Sequence, residues 1–320
     1  MKETNNMEIA QALISRLNAT KRMYPRFFEA QDKFTTANNQ LSTYQIAYIM
    51  KACYDTSDER EIFVVSAMSQ WRIYKKIYNF DKDLLEMLFD QKAINSIMNL
   101  SANTDFFKNL PFNGLCMYNS IDNELAITTL EDTINGKKVI MFYCINLNDL
   151  IQHSSESGMM TFSICPVALY DDCTIGEALL RDFDNDLQRD KHAINYKRLI
   201  SMLVYILSAN AEISKSDVTQ NTYRPNNNGQ IKDKFREIEQ MDVGINIGNT
   251  IRLHKKTNKT YHVKNITGLC KRPHIRSGHW HSFWTGKRGS NERTLIVKWI
   301  QPMFVNSNNS KNVTINRATL

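Results

Sequence analysis

The sequence predicts an α+β protein: a mostly helical N-terminal part packed on a mixed antiparallel sheet, followed by a strand-rich basic C-terminal part. Three observations carry this. Apolar residues recur at helical spacing through the first hundred positions. β-like runs take over after Pro111 and Gly114. Charge is also divided along the chain. Residues 1–250 hold 26 Lys/Arg and 32 Asp/Glu, a net of −6, whereas residues 251–320 hold 14 Lys/Arg and one Asp/Glu, a net of +13. The expected regions are therefore a helical one at 1–105, an acidic α+β body at 106–250 and a basic, strand-rich region at 251–320.

In "MEIAQALISRL", Ile9, Leu13 and Leu17 share a helical face, with Met7 and Ile14 beside it. Residues 40–54 and 58–80 continue as helices, the second carrying Phe63, Met68, Trp71 and Tyr74, whose aromatics read as core residues. The next helix opens at Asp81, an N-cap residue with acids in the turn that follows. Strands are expected at 125–130, 137–147 and 159–170, with Asn135-Gly136 as a hairpin turn before the second. Thr174 and Glu177 have capping-box spacing at the head of "TIGEALLRDFDNDLQRD", and "NYKRLISMLVYILSANAEI" is the most apolar helix. Residues 214–229 read as a polar surface loop and "QIKDKFREIEQ" as a short charged helix. Beyond it, "TIRLHKK", "KTYHVKNI" and "RTLIVKWI" read as strands.

Composition excludes several function classes. The longest nearly apolar run, Leu199–Ala209, is too short to span a bilayer, and the first residues lack a signal-peptide apolar core. A cytoplasmic protein without membrane association is expected. The six cysteines form no C-x-x-C pair, so a Cys-rich zinc module is not supported and reduced thiols are expected. Asp182, Asp184 and Asp186 mimic the start of a calcium loop, but Leu187 and Ala193 stand where that loop needs Gly and Glu. No phosphate-binding P-loop and no nucleophile elbow occur. No metal and no cofactor are expected.

The one dense constellation is "CKRPHIRSGHWHSFWTG", residues 270–286, which holds three of the seven histidines and two of the four tryptophans. If 279–284 is extended, His279, His281 and Phe283 share one face, and Trp280 and Trp284 the other. Four readings fit. His274, His279 and His281 can ligate a metal, although no Cys, Asp or Glu nearby completes the shell. The same histidines can act as acid and base in metal-independent RNA cleavage. Trp280, Trp284 and Trp299 can simply pack the back of a small sheet. Finally, the segment can bind nucleic acid or the ribosome. Arg272 and Arg276 offer guanidinium forks, Lys271, Lys287 and Arg288 add charge, and His274, His279, Trp280, His281 and Trp284 offer stacking planes.

This stretch, with "VKWIQPMFVNS" after it, resembles the C-terminal signature of type V-A anti-CRISPR proteins carried by phages and plasmids. That family blocks biogenesis of the type V-A CRISPR effector nuclease. The strongest match runs from Lys271 to Asn306 and pairs Arg272, Pro273, His274, Arg276, Gly278, His279, Trp280, His281, Trp284 and Trp299. Weaker similarity extends back through "NLPFNGLCMY", "TIGEALLRDF" and "LISMLVYILSANAEI". Departures are Ser277 for a basic residue, Ser282 for a glycine, Phe283 for a tyrosine, and the extra Ile300. The resemblance implies recognition of the effector's nascent N-terminal peptide in the bacterial host cytoplasm, coupled to loss of its mRNA. The peptide-binding residues are not indicated. The alternatives are a histidine-based ribonuclease of a mobile element, and an RNA- or ribosome-binding protein with another target.

Overall fold

A computed structural model describes residues 6–34, 41–102, 104–132, 137–153, 162–170, 172–181, 186–216, 238–260, 274–276, 278–287 and 293–305. Four helices come first: α1 (Asn6–Met23), α2 (Pro25–Phe34), α3 (Thr43–Tyr54) and α4 (Glu59–Tyr74). Then follow β1 (Lys76–Phe80), α5 (Lys82–Leu88), α6 (Gln91–Met98), α7 (Thr104–Phe107), β2 (Leu115–Asn119), β3 (Glu124–Asp132) and β4 (Lys138–Asn146). The middle continues with α8 (Leu147–His153), β5 (Ser163–Ala168), α9 (Ile175–Arg181), α10 (Asp186–Leu207), β6 (Ile213–Lys215), β7 (Glu239–Val243) and α11 (Ile245–Thr260). Last are β8 (His274–Arg276), β9 (His279–Thr285), β10 (Thr294–Ile300) and β11 (Met303–Val305).

Local chemistry explains many of the boundaries. Ser42 and Gln45 form a reciprocal capping box at the start of α3. The Asp81 carboxylate accepts from the amides of Asp83 and Leu84 and opens α5. Thr174 and Glu177 close the expected box at α9: the Glu177 amide donates to Thr174 Oγ1 at 3.2 Å, and the Thr174 amide to Glu177 Oε2 at 2.7 Å.

Seven strands form one sheet in the order β5-β4-β3-β2-β1-β7-β6. Strand β1 runs parallel to β2 and β7, and the other neighbours are antiparallel. The parallel β1–β2 pair needs a crossover, which α5, α6 and α7 supply. Pro166 sits on edge strand β5, where a missing N–H costs least.

Alternation along the strands sends side chains into two cores. Ile77, Cys116, Tyr118, Ile127, Tyr143 and Ile145 face a layer that includes Leu13, Phe27, Met50 and Trp71 of the first four helices. Tyr78, Leu115, Met117, Ala126, Phe142 and Val167 face the other, with Leu84, Ile97, Leu203 and Ile247. Helices on both faces of a mixed sheet thus make the α+β architecture, with two small antiparallel ribbons, β9–β10 and β8–β11, beside it.

Several expected elements differ. The helix predicted over 58–80 stops at Tyr74, because Lys75 adopts a left-handed conformation (φ 48°) and its amide caps Trp71. The remaining residues form β1, whose Ile77 and Tyr78 face opposite cores. Strand β2 was not among the expected strands. The "TIRLHKK" segment, expected as a strand, lies in α11. Ile247 and Ile251 recur there at helical spacing in the core, and Glu212 caps the helix by accepting from the amides of Asn246 and Ile247 at 2.8 and 3.1 Å. Glu239 and Gln240, at the end of the expected charged helix, belong to β7, and β6 takes Ile213 from the end of the expected apolar helix and residues 214–215 from the expected loop. The Asn135-Gly136 turn, residues 217–237 of that loop and helix, and most of "KTYHVKNI" lie outside the described residues.

Candidate nucleic-acid interface

The His/Trp segment folds as one strand of the β9–β10 ribbon. Its register sets Trp280 opposite Trp299, His281 opposite Lys298, Phe283 opposite Ile296 and Trp284 opposite Leu295. Directly opposed residues share a face. Trp280, Trp284, Leu295, Val297 and Trp299 therefore lie on one side, and His279, His281, Phe283, Ile296 and Lys298 on the other.

The inner end of the ribbon is fastened to the body. The Trp280 amide donates to Ser96 Oγ of α6 at 3.0 Å. Just past α10, the Ala209 amide donates to the Val297 carbonyl at 3.1 Å. Asn210 behaves like a further strand residue: its Nδ2 donates to the Trp299 carbonyl at 2.8 Å and its Oδ1 accepts from the Trp299 amide at 3.0 Å. The Trp280 and Trp299 rings pack 5.0 Å apart, and Tyr205 stands edge-on to Trp280 at 6.4 Å. Gly278 is required here, because a Cβ at that position would lie 2.3 Å from Trp299 Cζ2. The indole Nε1 atoms of Trp280 and Trp299 are buried with no hydrogen-bond partner among the described residues. These two indoles are packing residues first.

The outer end is open. Phe283 is 41% and Trp284 54% exposed, and His281 and Lys298 are exposed as well. His281 stacks on Phe283 with centroids 4.3 Å apart, and Lys298 Nζ lies 5.9 Å from the Phe283 centroid. On the opposite face the Arg293 guanidinium lies 5.5 Å from the Trp284 centroid. His279 is half-buried, whereas Lys287 is exposed.

His274 and Arg276 belong to the other ribbon, β8–β11, paired with Val305 and Met303. Arg276 is exposed; the His274 side chain, Lys271, Arg272 and Arg288 lie outside the described residues. The structure thus brings His279, His281 and Phe283 onto one face, as period two predicts, and places His274 on a different ribbon. Among the described residues no three His, Cys, Asp or Glu side chains gather as a metal site, and no helix is long and apolar enough to cross a membrane. The five described cysteines are free.

Two features escaped sequence reasoning. The first concerns the basic region. Arg252 pairs with Asp81 at 2.9 Å and with Asp83 at 2.7 Å, and Lys255 with Asp83 at 2.7 Å and Glu86 at 2.9 Å. Burial pushes the Asp83 carboxyl up, but hydrogen bonds from Lys255 and Arg252 outweigh it and hold the group below its ordinary range. Gly248 permits the approach, since a Cβ there would lie 2.0 Å from Asp81 Oδ1. Two of the fourteen basic residues therefore serve to dock α11 on α5. The i,i+3 spacing of Arg252 and Lys255 was the available signal. The second is a hollow of about 390 Å³ on the N-terminal helices, lined by Phe34, Leu41, Tyr44, Gln45, Tyr48 and Ile49. Phe34, Tyr44 and Tyr48 are 64%, 62% and 72% exposed.

A model of the anti-CRISPR type V subtype A2 family (AcrVA2-like) matches residues 78–307. That span runs from β1 through the ribbons. Among solved structures, a crystal structure of AcrVA2 superposes with a TM-score of 0.58 at 16% identity, covering 92% of this chain and 99% of that one. At that identity the likeness is one of fold. A search of curated proteins finds no match. The signature residues, the architecture and the family match over most of the chain agree, and the chain belongs to the anti-CRISPR type V subtype A2 family.

Proposed function

We propose that this anti-CRISPR protein acts on the biogenesis of a type V-A effector nuclease: it captures the nascent effector's N-terminal peptide and promotes loss of the message being translated. The observation that carries the reading is the outer end of the β9–β10 ribbon, where aromatic rings and cations stay exposed in a region of net charge +13. Rings left this open gain less from packing than buried ones, and grouped with cations they are suited to a ligand. A polyanion, either mRNA or ribosomal RNA, matches its charge. Of the sequence candidates, Arg276, His281, Trp284 and Lys287 are exposed for that contact, and Lys271, Arg272 and Arg288 supply charge to the same segment.

The hollow at Tyr44 and Tyr48 is the proposed seat of the peptide. Aromatic walls with a few polar groups suit an extended segment carrying apolar anchors. It lies outside the span of the family match, where target choice is free to diverge.

The test is affinity capture from translating cells, with sequencing of the bound RNA and identification of the bound nascent chains. Enrichment of one effector's message, lost in a Tyr44→Ala/Tyr48→Ala double variant, supports the reading; recovery of RNA with no preferred message defeats the peptide-directed form. A second reading, a histidine-based ribonuclease, draws on the shared face of His279 and His281 with Lys298 opposite His281. Cleavage of labelled RNA by purified protein, abolished in a well-folded His279→Ala variant, favours it.

A further inference from the structure

The geometry points to single-stranded RNA, not duplex, as the ligand of the ribbon's outer end, held by bases stacking on Phe283 and Trp284. This rests on the nucleic-acid reading above and narrows it. The two rings are neighbours in sequence but point to opposite faces of a two-stranded ribbon. Both are exposed. Each has a cation over it: Lys298 5.9 Å from the Phe283 centroid, a ring that His281 also stacks on at 4.3 Å, and Arg293 5.5 Å from the centroid of Trp284. A base that takes the place of one of these partners, or stacks on the ring's other face, has its phosphate within reach of a positive charge.

A duplex cannot use this arrangement. Its bases are stacked on one another and present only edges in the grooves, and the A-form major groove is too deep and narrow for side chains to read. It would meet the ribbon through phosphates and 2′-hydroxyls, with no base face to stack, and from one side. A single strand can offer an unpaired base to each face of the ribbon. Stacking of this kind accepts any base, because each has a π-face. The ribbon thus supplies grip without sequence preference, and choice of message is left to another part of the molecule. Residues 251–320 hold one acidic residue, Glu292, against fourteen basic ones.

The experiment compares the full-length protein's binding of an unstructured 20-mer RNA and of the same sequence as a duplex, across a salt series. The single strand is expected to bind more tightly. Phe283→Ala and Trp284→Ala should each weaken it by about tenfold and leave duplex binding unchanged. Lys298→Ala should weaken both RNAs and lower the log–log salt slope by about one. All three side chains are exposed, and unchanged melting temperatures confirm that the variants fold. Equal affinity for the two RNAs, or aromatic variants that lose both alike, overturns the single-strand inference while sparing the nucleic-acid reading. Absence of any salt-sensitive binding overturns both.

Discussion

Trp280 and Trp284 stand four residues apart on the same face of the same strand, yet Trp280 is 4% exposed and Trp284 54%. The difference is where the ribbon meets the body. At Trp280 the strand lies on α6, with Ser96 receiving its amide and Trp299 and Tyr205 closing around the ring. By Trp284 it has passed beyond that support, and among the described residues it is the Arg293 guanidinium that lies over the indole. A compact sequence signature thus contains two physical units. Its inner half is specified by packing and would persist in a protein with no ligand. Its outer half is only partly packed among the described residues, and that half carries the functional argument.

The comparison is broken most directly at its inner end. Trp280→Ala removes a ring packed against Trp299 and Tyr205 and leaves a cavity that a strand fastened through Ser96 cannot collapse to fill. Such truncations cost roughly 3–5 kcal/mol. Denaturant unfolding should show a loss of that size. A loss below about 1 kcal/mol would mean that the ribbon is not part of the cooperative core. The next largest effect is expected from Gly278→Ala. The new methyl would meet Trp299, whose amide and carbonyl are both held by Asn210 and which therefore cannot slide away. Overpacking of this kind costs about 1–3 kcal/mol. An Asn210→Ala variant, which frees Trp299, should make the glycine substitution less damaging, a coupling that a double-mutant cycle measures.

A different part of the basic region responds to pH. Asp83 is held below its ordinary range by Lys255 and Arg252, so its folded pKa lies below the unfolded one, about 3.9. A depressed carboxylate stabilises the fold fully above the unfolded value, and the contribution is lost as pH falls through the folded value. Docking of α11 on α5 should therefore weaken as the solution is acidified below about pH 4. Amide exchange in α11, taken relative to the intrinsic rate at each pH, should rise there in the natural protein. In Asp83→Asn it should already be raised at neutral pH and change less on acidification. The outer ribbon has no carboxylate partner among the described residues and should show no such dependence from this source.

What the sequence disclosed follows from the range of the interactions involved. The Asp81 cap and the Thr174–Glu177 box were legible because each is closed within three residues. So was the shared face of His279, His281 and Phe283, which needs only the period of a strand. Strand β1 was not. It is central and buried on both sides, so it lacks polar alternation, and the break before it depends on a lysine, not a glycine, in the left-handed region. Helix α11 was misread because Thr250 and Ile251 favour strands. Its stabilising partners, Glu212, Asp81 and Asp83, are distant in sequence. The fates of Trp280 and Trp284 were illegible for the same reason, since nothing within the segment tells where α6 will lie. The hollow beside Tyr44 likewise arises from two helices meeting.

The smallest effect on stability is expected where the effect on RNA binding is large. Trp284→Ala removes the same side chain as Trp280→Ala, from the same strand face, but at a position that is mostly solvated already. Among the described residues the cation it gives up is Arg293, and an exposed cation–π pair is worth about 0.5–1 kcal/mol. The change in unfolding free energy should stay near or below that value, several times less than for Trp280→Ala. Two identical substitutions in one strand then separate fold from function: the inner one fails by unfolding, and the outer one folds and loses its single-stranded ligand. If Trp284→Ala destabilises the protein as much as Trp280→Ala does, the outer ring is a core residue. The ribbon would then be one packed unit, and the aromatic cluster would need no ligand to account for it.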